Sequence, residues 1–172
     1  MSAAEHSTPP NDPTAARAAL FAALAPVLHA VEGVDLSDPQ AVAADLGARF
    51  PLEGAALTTL RAALEAGLAG GWLTPREADG VRFGRLAKAG PETAGCSIDV
   101  VDMDGPGPGH THPNGEIDLC FALSGAPTFD GHAPGWVVYG PQSWHTPTVR
   151  GGRMVIVYLL PGGAIRFEPA PA

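Results

Sequence analysis

Aromatic side chains, cysteines and basic residues are all scarce in this chain. Phe, Trp and Tyr reach only 6% of the 172 residues, so a core must be filled mainly by Ala, Val and Leu within an apolar content of 45%. The two cysteines, Cys96 and Cys120, lie far apart without C-x-x-C spacing. That excludes a disulfide scaffold and leaves buried free thiols as the expectation. Ten Lys and Arg stand against 18 Asp and Glu, for a net charge of −8. Such a balance excludes the basic stripe that a nucleic-acid partner requires. No apolar run is expected to be long enough to span a bilayer, and residues 1–13 (MSAAEHSTPPNDP) lack the apolar core of a signal peptide. The expectation is a cytoplasmic protein with no nucleic-acid or membrane partner and a frayed terminus over 1–13.

What is present divides into two patterns. Leu20, Leu24, Val27 and Leu28 recur at helical spacing in "PTAARAALFAALAPVLHAV", where Pro26 is a candidate kink. A second helix is expected after "LSDPQ", capped by Ser37 or Asp38 with Pro39 in its first position. A third spans about 53–69, with Leu57, Leu60, Leu64 and Leu68 in one stripe before Gly70-Gly71. "LTPRE" has the form of a capping box and predicts one short helical turn. From Gly80 onward the runs "VRFGRLAK", "CSIDVVDM", "EIDLCFAL", "GWVVYG", "HTPTV", "RMVIVYLL" and "AIRFEP" are short, β-rich and punctuated by Gly and Pro. That rhythm predicts a sandwich or barrel. The expected organisation is a helical cap over 14–72 and a β-barrel over 80–169, together forming one integrated domain.

One stretch is dense in metal-capable side chains. In "GHTHPNGEIDL", His110 and His112 share a strand face, and so do Glu116 and Asp118 if the strand resumes after the "PNG" turn. Imidazole nitrogens with a carboxylate oxygen suit a divalent first-row metal. His145, in "GPQSWHTP", is the candidate fourth ligand; His29, on a helix, and His132, at a loop tip, are weaker ones. Asp118 has three open readings: orienting a ligand histidine, acid/base catalysis, or facing solvent. Arg82 and Arg85 could clamp a carboxylate, but their spacing turns them to opposite faces of a regular strand, so at most one points inward. Trp136, Tyr139 and Trp144 are candidate pocket walls, with plain packing as the alternative. Cys120 shares the parity of Glu116 and Asp118.

The spacing H-x-H-x3-E, followed about thirty residues later by a lone His, resembles the two metal motifs of the cupin superfamily. The resemblance implies a cupin-type double-stranded β-helix (jelly-roll) barrel with an N-terminal helical extension. It also implies one divalent ion per chain, of Fe, Mn, Zn, Ni or Co, held by His110, His112, Glu116 and His145. Three positions depart from the superfamily pattern. Asp104 stands where a glycine usually precedes the first His, Pro141 falls one residue nearer the second-motif His than usual, and Val149 stands where an Asn usually follows that His.

Three longer stretches, "HTHPNGEIDLCFAL", "FDGHAPGWVVYGPQSWHTPTVRGG" and "VYLLPGGAIRFEP", resemble together the bacterial 4-hydroxylaminobenzoate lyase family. This implies conversion of 4-hydroxylaminobenzoate and water to protocatechuate and ammonia, a step in nitrobenzoate degradation. Glu116 and Asp118 become the catalytic candidates. Arg85, Arg82, Trp136 and Tyr139 become candidates for binding a small aromatic carboxylate, and a homodimer is compatible with the superfamily. Two rivals use the same fold: an Fe(II) cupin dioxygenase acting on a small aromatic substrate, and a non-catalytic metabolite-binding cupin.

Overall fold

The structure, a computed structural model, describes residues 13–172. The frayed terminus expected over 1–13 therefore lies outside the described residues, except that Pro13 already opens a helix. Helix α1 spans Pro13–Val31, α2 Pro39–Arg49 and α3 Ala55–Ala69. The expected stripe of α1 is buried, and the helix runs unbroken through Pro26. Contrary to the expectation that no apolar run could span a bilayer, this 19-residue helix is long and apolar enough by length and composition. In the fold its Leu20, Leu24 and Val27 are buried in a core shared with Leu57, Leu60 and Leu64 of α3. Asp38 caps α2 by accepting the Ala41 amide at 3.1 Å, with Pro39 placed where a missing N–H is harmless.

The tract after α3 is not the helical turn that its capping-box pattern predicts. Arg76–Ala78 form a strand, β1, paired antiparallel with β2 (Val81–Ala87). Asp79 and Gly80 between them have φ of 52° and 81°, the paired positive values of a type I′ hairpin turn. Ladder pairing to β2 thus prevails over an isolated turn of helix, whose nucleation is unfavourable.

The remaining strands are β3 (Cys96–Met103), β4 (His110–His112), β5 (Glu116–Phe129), β6 (Gly135–Tyr139), β7 (Ser143–His145), β8 (Val149–Pro161) and β9 (Arg166–Phe167). The run "HTPTV" is split: His145 ends β7 and Val149 opens β8, with Pro147, which has no N–H for a ladder, in the gap. One sheet has the order β1-β2-β3-β8-β5-β6 and the other β7-β4-β9.

Strand parity sorts the large sheet into two buried faces. Ile98, Val100, Ile117, Leu119, Phe121, Val155 and Val157 pack against the helices. Val101, Met103, Cys120, Met154, Ile156 and Tyr158 form a second cluster on the opposite, inner face. A sheet covered on both sides explains why its strands read as near-continuous apolar runs. Glu116 and Asp118 lie in β5 on the parity of Cys120 and are fully buried. The architecture is a cupin-type β-barrel with an N-terminal α-helical extension.

Candidate metal centre

Three local features bring the site together. In β4, residues two apart share a face, so His110 and His112 project side by side while Thr111 turns away to donate to Glu168. Antiparallel pairing of β4 with β7 sets His145 directly opposite His110. The turn into β5 closes at Gly115, whose φ is 86°. A Cβ there would come within 2.7 Å of both Leu36 Cδ1 and the Tyr139 carbonyl oxygen, so only glycine allows Glu116 to begin β5 here.

The donor atoms converge. Glu116 Oε2 lies 3.3 Å from His112 Nε2 and 3.8 Å from His110 Nε2, and Glu116 Oε1 lies 3.9 Å from His145 Nε2. The His110 and His145 Nε2 atoms are 3.0 Å apart. One donor atom from each of the four residues falls within 4.8 Å of all the others. A metal about 2.1 Å from each donor holds neighbouring donors roughly 3–3.5 Å apart and opposed ones about 4.2 Å apart. The cluster is at that scale.

The hydrogen bonds on the far side of each ring select the tautomer. His110 Nδ1–H donates to the Pro108 carbonyl at 2.9 Å. Ser143 Oγ donates to the Gly140 carbonyl at 2.6 Å and so accepts from His112 Nδ1 at 2.9 Å. His145 Nδ1 donates to Asp130 at 2.6 Å. With every Nδ1 engaged, each neutral ring turns an Nε2 lone pair to one point, the arrangement that metal-ligating histidines adopt. Among the described residues, His112 Nε2 and both Glu116 oxygens are buried with no hydrogen-bond partner. Buried acceptors facing one another without a donor are costly, and a cation among them removes the cost. The residues therefore fit a divalent ion.

Ionisation states agree with this arrangement. Burial lowers the His112 pKa to about 4 despite the neighbouring Glu116 charge, so the ring is neutral and ligand-competent near pH 7. For Glu116, burial opposes ionisation, but His110 and His112 outweigh it and hold the carboxyl below its ordinary value. Asp118 goes the other way: burial, then the Glu116 charge, push its carboxyl well above the usual range. Its oxygens find no donor among the described residues. Of the two carboxyls, Asp118 is the one biased toward its protonated form. That places it on the site side of the sheet and removes solvent exposure from its three readings.

The other sequence candidates separate. Tyr139 joins the site: its ring centroid is 4.4 Å from that of His145 and 5.2 Å from that of His112, and its hydroxyl donates to Asp130. Trp136, three residues earlier, has the opposite parity and turns outward to the helices, donating Nε1–H to the Phe50 carbonyl at 3.0 Å. It is not a wall of the site. Trp144 donates to the Glu168 carbonyl at 2.9 Å, and His29 and His132 are exposed away from the cluster.

A cavity of about 390 Å³ lies beside the cluster, lined by Phe83, Val101, Met103, Tyr158 and Phe167, with His110 in its wall. This is within the roughly 300–1,000 Å³ range of small-molecule pockets. Arg85 borders the cavity, paired with Asp99 at 2.8 Å. Arg82 faces away and pairs with Asp102 at 2.7 Å, beside Arg153.

Two residues of the site were not foreseen. Asp130 accepts from both His145 and Tyr139, and Ser143 holds His112. For Asp130, burial opposes ionisation but those two hydrogen bonds dominate and keep the carboxyl below its ordinary value. The one sequence cue for Asp130 is its place before Gly131 in a turn, where its φ of 49° suits Asp better than most residues.

The family profile "4-hydroxylaminobenzoate lyase" (PnbB) matches residues 22–167. A 4-hydroxylaminobenzoate lyase of Nocardioides sp. (strain LMS-CY) is 34% identical over 115 residues, covering 61% of this chain and 68% of that protein. One of Pseudomonas putida is 29% identical over 120 residues, covering 59% and 68%. Among solved structures, one described as "DMSP lyases RdDddP and RnDddQII" superposes with a TM-score of 0.52 at 16% identity, covering 92% of this chain and 100% of that one. At that identity it speaks to the fold alone. The family match takes in all four clustered donors and both residues that orient them, and on it the chain belongs to the 4-hydroxylaminobenzoate lyase family of enzymes.

Proposed function

We propose that this protein is a metal-dependent lyase that converts 4-hydroxylaminobenzoate, or a related N-hydroxyarylamine, to protocatechuate and ammonia. The observation that carries the metal half is the convergence of three Nε2 lone pairs on Glu116, each ring held from behind by its Nδ1. Names of relatives at 29–34% identity support the substrate half.

Hydroxylaminobenzoate plus water has the same atoms as dihydroxybenzoate plus ammonia, so no external oxidant or reductant enters. The N–O bond breaks, a ring C–O bond forms at the neighbouring carbon, and water replaces nitrogen at the original carbon. A divalent ion held by His110, His112, Glu116 and His145 supplies Lewis acidity at the hydroxylamine oxygen. The chain itself supplies position and protons. Asp118, biased toward its protonated form by burial beside Glu116, can donate a proton to the departing group and take one back as the ring regains aromaticity. Tyr139 and Asp130 hold His145 in place. The apolar cavity beside His110 accommodates the ring and excludes bulk water around it. Arg85 borders that cavity with its guanidinium held by Asp99, and Arg82, turned to Asp102, does not border it. A nitroaromatic-degrading role in the cytoplasm suits a chain with two free buried thiols. The test is ammonia release from 4-hydroxylaminobenzoate by metal-loaded protein, with product identified as the 3,4-dihydroxy acid.

A further inference from the structure

We infer that Arg76, on the edge hairpin β1–β2, is the residue that recognises the substrate carboxylate. The inference rests on the lyase reading for the identity of the ligand, but its structural basis is independent of the metal centre.

The type I′ turn at Asp79-Gly80 fixes the register of the hairpin, so that Arg76 stands opposite Phe83 and Ala78 opposite Val81. Directly opposed residues share a face. All four border the cavity that has His110 in its wall. The hairpin thus brings Arg76 to the border of an apolar chamber whose wall includes a metal-ligand candidate.

The two arginines at this cavity differ in what they already hold. Arg85 is engaged by Asp99 through two contacts, Nε to Oδ1 at 2.8 Å and Nη2 to Oδ2 at 3.4 Å. A second carboxylate would have to compete for a guanidinium fork already in use. The Arg76 guanidinium makes no ion pair or hydrogen bond among the described residues; it rests on the Phe83 ring, 5.4 Å from guanidinium carbon to centroid. An arginine resting on an aromatic ring keeps its in-plane N–H groups available and loses less freedom when they bind. Asp79 also borders the cavity, so the rim is not uniformly cationic. Recognition here is directional, through the N–H edge of one guanidinium, and not through a general positive field. A flat ring against Phe83 with its carboxylate on Arg76 would leave its para substituent directed into the chamber.

The experiment compares 4-hydroxylaminobenzoate with hydroxylaminobenzene, which lacks the carboxylate, in wild type, Arg76→Ala, Arg76→Lys and Arg85→Ala. It also measures binding of 4-nitrobenzoate, an unreactive carboxylate of similar shape, by calorimetry. Arg76→Ala should lower the ratio of kcat/KM for the two substrates about ten-fold or more, mainly through KM, as loss of a charge-assisted bidentate contact does. It should weaken 4-nitrobenzoate binding by a similar factor. Arg76→Lys should restore part of both, and Arg85→Ala should change the ratio less. An unchanged ratio together with unchanged 4-nitrobenzoate binding in Arg76→Ala overturns the assignment while the lyase reading stands. If wild type turns over neither substrate yet 4-nitrobenzoate binding still depends on Arg76, the lyase reading falls and the anion site stands. If 4-nitrobenzoate does not bind and neither substrate reacts, both fall.

Discussion

Asp130 binds His145 through one carboxylate oxygen at 2.6 Å and the Thr148 amide through the other at 2.7 Å. The second contact anchors the first. It ties the only ligand candidate that comes from β7 to the start of β8, and the Tyr139 hydroxyl on the same oxygen closes the network. Asp130 therefore acts as a positioning residue for His145.

Replacing it should be felt by the metal before it is felt by the fold. Asp130→Ala removes the acceptor for Nδ1–H, freeing the ring to rotate and to exchange tautomers. Metal affinity should fall roughly 10–100-fold, the usual cost of losing such a partner. Competition with a chromogenic chelator reads this directly. Asp130→Asn, whose amide oxygen can still accept the proton, should recover part of the loss. Unaltered affinity in both variants would deny Asp130 any positioning role.

The ligand set makes a second expectation. Purified protein should hold about one divalent ion per chain, as four converging donors require. His112→Ala should lose the ion and the activity together, with circular dichroism unchanged, because the barrel closes through its ladders and apolar faces. Elemental analysis is the measurement. Full metal retention in the single variants of His110, His112, Glu116 and His145 would sink the site.

Which of these features were legible before the fold was known follows from how far each acts along the chain. His110 and His112 sit two apart on one strand, and Glu116 follows a turn marked by Pro-Asn-Gly, so local periodicity was enough to group them. The helix stripes and Asp38 cap are local in the same sense. Asp130 and Ser143 were invisible because each meets its histidine through pairing of distant strands. Thr74 to Glu77 misled for the opposite reason: a local helix-start pattern was present, and strand pairing with Val81–Phe83 overrode it. Trp136 was readable from parity alone. It stands three residues from Tyr139, as Arg82 does from Arg85, and three residues along a regular strand reverse the face.

That parity argument can be tested on Trp136 itself. Its ring lies against Phe50 with centroids 6.4 Å apart, outside the barrel. Trp136→Ala should destabilise the fold by about 2–4 kcal/mol through lost packing and an unpaired Phe50 carbonyl. A thermal melt should show the drop. KM for 4-hydroxylaminobenzoate, measured well below the new Tm, should move less than two-fold. A large KM change with no loss of stability would return Trp136 to the pocket.

The separation of lyase from dioxygenase depends on electrons, because the same four donors serve both chemistries. In the lyase reading the N–O bond carries the oxidation level that appears in the second ring hydroxyl. Molecular oxygen then has no part, and ammonia must appear in equal amount to the dihydroxy acid. Metal-loaded protein in an anaerobic chamber should therefore turn over 4-hydroxylaminobenzoate at the aerobic rate. Glu116→Gln keeps the shape of the side chain but removes the charge that balances the cation among three neutral imidazoles, so turnover should fall by at least about 100-fold, in step with weakened metal binding. Strict dependence on oxygen would move the assignment to an Fe(II) dioxygenase. No product from any N-hydroxyarylamine, in either atmosphere, would leave a metabolite-binding cupin. Oxygen-independent ammonia release that Glu116→Gln abolishes is the outcome that the opposed biases of Asp118 and Glu116 and the three fixed tautomers together lead us to expect.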